Sequence, residues 1–243
     1  TGQGSISFDD NESWWDLVST DTNRYSWMFK RAPSFFDVVA YTGNEAAGNT
    51  VSHNLGVAPE MMWVKKRASP ANWSVYHSGA NGGTTPENYH FFLNNANAEA
   101  TDNNYYWYQT APTATVFSLG ISANTNQNNV TYVAYLFATL AGVSKVSSYT
   151  GNGSSQTIDC GFTAGARFVL IKRTDATGDW RYFDTKRGIV AGNDTSAKFN
   201  ATSGSFRTSA DDIDPESSGF IINQTATSNL NVSAASYIFY AIA

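Results

Sequence analysis

The sequence is poor in cysteine and in charge, and each shortage excludes a class of protein. The single cysteine, Cys160, rules out an intrachain disulfide and any metal site built from several cysteines. Only 14% of the residues are charged, which is about half the usual share. The net charge is −5 and the longest basic run is 65–67, so we predict no nucleic-acid binding. No apolar segment approaches the ~20 residues that cross a bilayer, so we predict no membrane insertion.

Residues that could carry catalysis or hold a metal are also few. The three histidines lack the short-spaced pair that a zinc site requires. No G-x-S-x-G motif occurs, and the glycine-containing turn at 151–155 is not followed by a helical pattern. The acidic segment 211–216 could bind calcium, but the corresponding turn at 110–112 has no carboxylates. We therefore predict no catalytic residues, no metal and no cofactor, and a protein that is not an enzyme.

Apolar residues alternate with period two along much of the chain, which is typical of strands with one buried face. The runs at 61–64 (MMWV) and 167–171 (RFVLI) are almost entirely apolar, which predicts strands covered on both faces. Only the segment 86–100 approaches a helical period, and it is the one candidate helix. Frequent turn signals such as Thr-Gly-Asn separate the strands. These features predict an all-β protein built from antiparallel, jelly-roll-like β-sandwich modules.

The tetrapeptide Tyr-Thr-Gly-Asn occurs at residues 41–44 and again at 149–152. After each copy come an alternating segment, an apolar run closed by Lys-Arg, a tryptophan (Trp73 or Trp180) and, finally, an aromatic strand. An ordered match of this kind indicates an internal duplication of a module of roughly 100 residues. The sequence therefore predicts two tandem homologous modules.

Residue types kept in both copies are expected to serve the fold. We therefore interpret Trp73 and Trp180 as equivalent core anchors. Lys66–Arg67 and Lys172–Arg173 follow the apolar runs, and we interpret them as solvated strand ends, with an anionic ligand site as the alternative.

We place the first module at residues 36–140 and the second at 144–243. Residues 1–35 are interpreted as an N-terminal lead-in or as the tail of a preceding module. The reason is that the segment 25–32 repeats the aromatic pattern of the strands that close the two modules.

The largest difference between the two copies is a run of consecutive aromatic residues, Tyr105, Tyr106, Trp107 and Tyr108, in the first module alone. On a strand, two of these side chains would point inward and two outward. The outward pair would suit stacking on sugar rings or a subunit interface. The alternative is that Trp107 belongs to the core and the tyrosines cover it. Tyr105, Tyr106 and Tyr108 are the predicted contacts to a glycan.

The ordered motifs FDVVAYTGN, VSHNLGVAPEMMWVKKR and TYVAYLFA, with the second-copy segment that begins YTGNGSSQTIDCGF, resemble tandem modules of bacteriophage tail-fibre and virion structural proteins, especially those of marine phages. The resemblance extends from Tyr25 to Ala243. It implies a non-enzymatic, extracellular virion or tail appendage that contacts other virion proteins and attaches to a host, with a host surface glycan as a potential partner. It supplies no catalytic or receptor-binding residues.

Two further expectations concern assembly and an alternative function. Low charge and high aromatic content predict exposed apolar surface, and therefore a homo-oligomer, which the resemblance suggests is a trimer. The alternative function is a glycan-binding accessory module of a secreted bacterial enzyme or adhesin. An enzyme that depolymerises surface polysaccharide is the weakest hypothesis, because the sequence offers no catalytic constellation.

Overall fold

The fold is that of a computed structural model, which describes residues 6–8, 11–13, 29–201, 206–223 and 228–243. The chain divides into two compact units, residues 1–30 and 31–243. In the first unit, strands β1 (Ile6–Phe8) and β2 (Asn11–Ser13) form an antiparallel pair. Much of the predicted lead-in, including residues 25–28 of its aromatic segment, lies outside the described residues.

The first half of the second unit contains eight strands in two antiparallel sheets. They are β3 (Phe36–Thr42), β4 (Asn49–Ser52), β5 (Met61–Lys66), β6 (Trp73–His77), β7 (Tyr89–Phe92), β8 (Ala100–Thr101), β9 (Val116–Leu119) and β10 (Thr131–Phe137). Large sheet 1 has six strands in the order β3-β10-β5-β6-β7-β8, and small sheet 1 pairs β4 with β9. Short 3-10 turns at Ala80–Gly83 and Pro86–Asn88 lie between β6 and β7.

The second half of this unit repeats the plan. Its strands are β11 (Ser144–Thr150), β12 (Gln156–Asp159), β13 (Phe168–Arg173), β14 (Arg181–Asp184), β15 (Asp194–Lys198), β16 (Arg207–Ala210), β17 (Ile213–Glu216), β18 (Gly219–Ile222) and β19 (Ser236–Ile242). Large sheet 2 has the order β11-β19-β13-β14-β15-β16, and small sheet 2 has the order β12-β18-β17. Position for position, the two large sheets have the same strand order. The predicted class, all-β with tandem antiparallel sandwich modules, is confirmed.

The duplication extends to individual hydrogen bonds. The backbone N–H of Trp73 donates to Oδ1 of Asn94 over 2.9 Å, and that of Trp180 donates to Oδ1 of Asn200 over 2.9 Å. Trp73 and Trp180 therefore occupy equivalent positions. Trp73 is the first residue of β6, and Trp180 immediately precedes β14.

The strand register corrects the predicted match between the two Lys-Arg pairs. Val64 lies opposite Ser74, and Ile171 lies opposite Arg181, so Lys65 rather than Lys66 is the equivalent of Lys172. Lys172 is also fully buried, so it is not a solvated strand end. Its Nζ donates to the carbonyl oxygen of Arg173 over 2.6 Å, and burial lowers the pKa of Lys172 to about 8.

Each module buries an apolar core between its large and small sheets. In the first module, Val51 and Phe117 of small sheet 1 pack with Val64 and Ala134 of large sheet 1. The second module repeats this arrangement with Ile158, Phe220, Ile171 and Phe239. Successive residues of a strand point to opposite faces, so each large sheet has a second face that its own core does not cover.

Those second faces of the two large sheets pack against each other. Three ring pairs cross between them, namely Trp63 with Phe199 at 6.0 Å, Phe91 with Trp180 at 6.0 Å and Phe137 with Tyr240 at 5.1 Å between centroids. Trp180 also donates from Nε1 to the carbonyl oxygen of Phe92 over 2.9 Å. The compact unit is therefore a stack of four layers, with the large sheets in the middle.

This packing explains the two apolar runs. β5 and β13 are each covered by their own core on one face and by the other module on the opposite face, as the sequence predicted for strands without alternation. Trp180, only 1% exposed, fulfils its predicted role as an anchor, and what it anchors is the contact between modules. Trp73 is half-buried instead, with its ring stacked on Tyr135 at 6.1 Å between centroids.

The repeated tetrapeptide closes each module at one end. The hydroxyl of Tyr41 donates to the carbonyl oxygen of Thr125 over 2.6 Å, and its ring stacks on Tyr132 at 5.2 Å. The backbone N–H of Asn44 donates to Oδ1 of the buried Asn126 over 3.0 Å. In the second module the same contacts join Tyr149 to Leu230 and Tyr237, and Asn152 to Asn231. The tetrapeptide therefore recurs because it has the same structural role twice.

The prediction of a helix within residues 86–100 is wrong. This segment contains one 3-10 turn and strand β7, in which Phe91 contacts Trp180 of the other module while His90 and Phe92 contact Tyr106 of their own module. Successive residues therefore point to opposite faces, each of which is apolar, and this is the geometry of a strand rather than of a helix. None of the helical segments in the described residues is long and apolar enough to span a membrane.

Candidate functional site

The aromatic run at 105–108, which we call the tyrosine turn, lies in a turn between β8 and β9 and not on a strand. Tyr105 and Tyr108 are 45% and 38% exposed, whereas Tyr106 and Trp107 are 7% and 1% exposed. Two side chains thus point inward and two outward, but the inward pair is consecutive because turn residues do not alternate as strand residues do. Tyr106, predicted as a glycan contact, is buried and not accessible to a ligand.

A buried carboxylate holds the tyrosine turn from inside. Asp102 accepts the backbone N–H groups of Tyr106 and Trp107, the latter over 2.6 Å. Burial raises the pKa of Asp102, and these N–H donors oppose the rise by stabilising the charged form. Asp102 was not singled out from the sequence. The Asp-Asn-Asn stretch before the aromatic run was the available signal, since these residues favour turns.

The inward pair belongs to the core of the first module. The ring of Tyr106 stacks on His90, with centroids 4.0 Å apart, and meets the edge of Phe92 at 5.8 Å. Trp107 packs edge-on against Tyr76 at 6.0 Å. The sequence left open whether these residues contact a glycan or belong to the core. Tyr106 and Trp107 belong to the core.

The outward pair remains on the surface in a fixed backbone. Tyr108 has a φ of +52°, in the left-handed region, and a side-chain atom on Gly48 would lie 2.9 Å from its Cε1. Its ring therefore rests on a glycine backbone. The carbonyl oxygen of Tyr105 accepts the N–H of Ser122 over 2.8 Å, beside Ile121, which is 48% exposed. This arrangement leaves two aromatic side chains partly exposed at one turn, which suits stacking on a sugar ring.

The groups considered for catalysis or metal binding have structural partners instead. His53 lies in the first module with Nε2 3.2 Å from the carbonyl oxygen of Thr113, whereas His77 lies between the modules. Burial raises the pKa of the Cys160 thiol to about 12, so it is not a reactive thiolate at neutral pH. Within the described ranges, no three His, Cys, Asp or Glu residues cluster so that they could hold a metal ion.

The acidic segment 211–216 is also engaged within the protein. Asp211 and Asp214 both accept from Nδ2 of Asn223, over 2.6 and 2.9 Å. Asp212 pairs with Arg207. The point at which Asp211 and Asp214 meet is therefore occupied by an amide donor of the protein, and Asp212 is engaged by Arg207 instead of joining them as a third ligand.

The two deeply buried histidines predict a loss of stability in mild acid. Burial lowers the pKa of His77 and of His90 to about 4, below the unfolded value near 6.5. The unfolded state therefore binds more protons between these values, so stability falls as pH drops from 6.5 and levels off below about 4. Each histidine contributes at most about 3 kcal/mol to this loss.

This loss is measured by urea unfolding between pH 7.5 and 4, with the double variant His77→Gln, His90→Gln as the comparison. The variant should show a smaller fall over this range. Asp194 acts in the opposite direction, because burial raises the pKa of this carboxyl to about 6 in the folded state. A variant that loses as much stability as the original protein would assign the acid sensitivity to other groups.

The geometry defines an all-β protein of two packed sandwich modules with one aromatic surface turn. Comparison with known families adds that residues 17–243 match a domain of unknown function (DUF7483). The chain therefore belongs to the DUF7483 family. No curated protein and no solved structure was found to match it.

Proposed function

We propose that this chain is a non-enzymatic part of a bacteriophage virion appendage, such as a tail fibre, and that it contacts the host surface. The observation that carries the host-contact role is the tyrosine turn. Its two exposed rings are held in place from inside by Asp102 and by the buried pair Tyr106 and Trp107. A preorganised aromatic surface loses little entropy when it stacks on a ligand.

The packing of the two modules supports the structural part of the proposal. The large sheets bury their second faces against each other, which joins the modules across a broad apolar layer rather than through a linker alone. A packed contact of this kind suits an appendage that must stay rigid under force. Association with other virion proteins and an extracellular location follow from the same proposal, together with the sequence resemblance.

We also propose that the chain forms a trimer, but exposed apolar surface is no longer the main reason. The composition suggested exposed apolar surface, but much of that surface lies between the large sheets. Burial between the modules reduces the need for subunits to cover it. Lateral contacts between copies stiffen a fibre, and this supports a trimer.

The host-contact role is tested with the double variant Tyr105→Ala, Tyr108→Ala. Both side chains are exposed, so the variant should fold, and its adsorption to bacterial cells or purified surface polysaccharide should fall at least tenfold. Each stacking aromatic at a binding surface typically contributes about 1–2 kcal/mol, and ~1.4 kcal/mol is tenfold in affinity.

The matched control is Val190→Ala, Val232→Ala, which removes two exposed apolar side chains from the second module. It should adsorb as the original protein does. Unchanged adsorption of the tyrosine variant would remove the host-contact role from this turn. Binding to glycans by a chain that is absent from virions would favour the alternative, a glycan-binding accessory module of a secreted protein.

A further inference from the structure

A second candidate site lies in the other module, at the edge of large sheet 2. A cavity of about 380 Å³ opens beside β14, β15 and β16. Cations and hydroxyls dominate its lining, which includes Arg181, Lys198, Arg207, Ser196, Thr208 and Ser209. Sites for small molecules in proteins typically measure about 300–1,000 Å³, so the cavity has room for a ligand of monosaccharide size.

Arg181 is a buried cation with few partners. Of its five N–H donors, one pairs with Oγ of Ser196 over 3.3 Å, and the nearest carboxylate, Asp179, is 3.8 Å away. Its Nε is buried and has no hydrogen-bond partner within the described part of the chain. A buried guanidinium with so few hydrogen bonds is costly unless another acceptor approaches it.

Of the three cations that line the cavity, Arg181 has the longest contact to a carboxylate. Lys198 pairs with Asp179 over 2.7 Å, and Arg207 pairs with Asp212. Asp179 lies closer to Lys198 than to Arg181, and the nearby carboxylate of Asp194 accepts the backbone N–H groups of Asp212 and Ile213 over 2.9 and 2.8 Å. An anionic group that enters the cavity would supply Arg181 with the closer acceptor that it lacks.

The residues that line the cavity differ from those at the same corner of the first module. Strand register equates Arg181 and Lys198 with Ser74 and Phe92, because each pair faces across the fourth and fifth strands of its sheet. In the first module, the ring of Tyr106 packs on Phe92 and fills this corner. The second module therefore has cations and a cavity where the first has an aromatic cluster, which argues against a role in the shared fold.

From these observations we infer that the cavity binds one oxyanion group, a sulfate ester or a carboxylate, with Arg181 as its main partner. The guanidinium would donate paired hydrogen bonds to two oxygens of such a group. Lys198, whose side chain is 37% exposed, adds a second, partly solvated cation to the lining. This site is independent of the tyrosine turn.

Titration of the 15N-labelled protein tests the inference. Sodium methyl sulfate, sodium glucuronate and glucose serve as probes, each at constant ionic strength set with sodium chloride. Methyl sulfate or glucuronate should shift the amide signals of residues 196–198 and 207–209 saturably, whereas glucose should not. Glucuronate binding without methyl sulfate binding would identify a sugar acid as the ligand, and the reverse would identify a sulfate ester. No saturable shift with either anion would overturn the inference.

Variants assign the binding to the cavity. Arg181→Gln should weaken anion binding at least tenfold, since hydrogen bonds to charged groups are the strong ones. Because Arg181 is buried, Lys198→Ala serves as a second variant on a partly exposed side chain and should weaken binding several-fold. Arg67→Ala, which removes an exposed arginine of the first module, is the matched control and should bind as before. Equal affinity in the original protein and in the cavity variant that folds would refute the assignment.

Discussion

Trp180→Ala is expected to lower the free energy of unfolding by about 3–5 kcal/mol, the range measured for deleting a large buried aromatic side chain. Trp180 is 1% exposed and packs edge-on against Phe91 of the first module. The substitution would open a cavity at the joint between the large sheets. It would also leave the carbonyl oxygen of Phe92 without the indole N–H that it accepts.

Trp73→Ala is the matched control, because Trp73 occupies the equivalent position of the first module but is half-buried. Trp73→Ala should lower the free energy of unfolding clearly less than Trp180→Ala does, as measured by urea unfolding of both variants. Trp180→Phe should fall between them, since it keeps most of the packing and loses one hydrogen bond, typically worth about 0.5–1.5 kcal/mol, while the carbonyl oxygen of Phe92 still accepts the backbone N–H of Asn95. Equal costs at the two tryptophans would mean that Trp180 acts only within its own module.

The contact between modules shows how far the sequence pattern reaches. The apolar runs correctly predicted that β5 and β13 are covered on both faces. What covers the second face could not be predicted. A pattern of apolar positions indicates that a face is buried, but it does not identify the surface that buries it. Partner choice depends on the shapes of Trp63, Phe137 and Tyr240, which come together only in the fold.

The duplication predicted the strand order well and the register less well. The Lys-Arg ends of the two apolar runs invite an alignment of Lys66 with Lys172, but cross-strand pairing makes Lys65 the equivalent residue. A shift of one residue reverses the face of a strand side chain. Lys172 reaches the first module, with its Nζ 3.5 Å from the carbonyl oxygen of Ala96, and is buried although its sequence context is that of a solvated end.

The two candidate sites differ in how visible they are in the sequence. The tyrosine turn appears as four consecutive aromatics, but the structure was needed to show that they form a turn held by Asp102 and that Tyr106 and Trp107 are the inward pair. The cavity residues Arg181, Lys198 and Arg207 are far apart in the sequence. Pairing of β14, β15 and β16 brings them together, so no local motif could have indicated the site.

The other large effect is expected at the glycine of the repeated tetrapeptide. Gly151→Ala should lower the free energy of unfolding by about 3 kcal/mol, the upper part of the usual cost of overpacking. A Cβ atom on Gly151 would overlap the carbonyl oxygen of Val232. That oxygen belongs to backbone and accepts the N–H of Ala235 over 3.0 Å, so it cannot move aside as a flexible side chain could.

The first module supplies a parallel test, because a Cβ atom on Gly43 would overlap the carbonyl oxygen of Gln127 in the same way. Gly43→Ala should therefore cost a similar amount. The control is Gly153→Ala, at a glycine with a φ of +72° and no atom nearer than 3.4 Å, which should cost about 1 kcal/mol through backbone strain alone. Urea unfolding compares the three variants. If Gly151→Ala costs no more than Gly153→Ala, the loop around Val232 yields, and close backbone approach is not the reason that glycine stands in both copies.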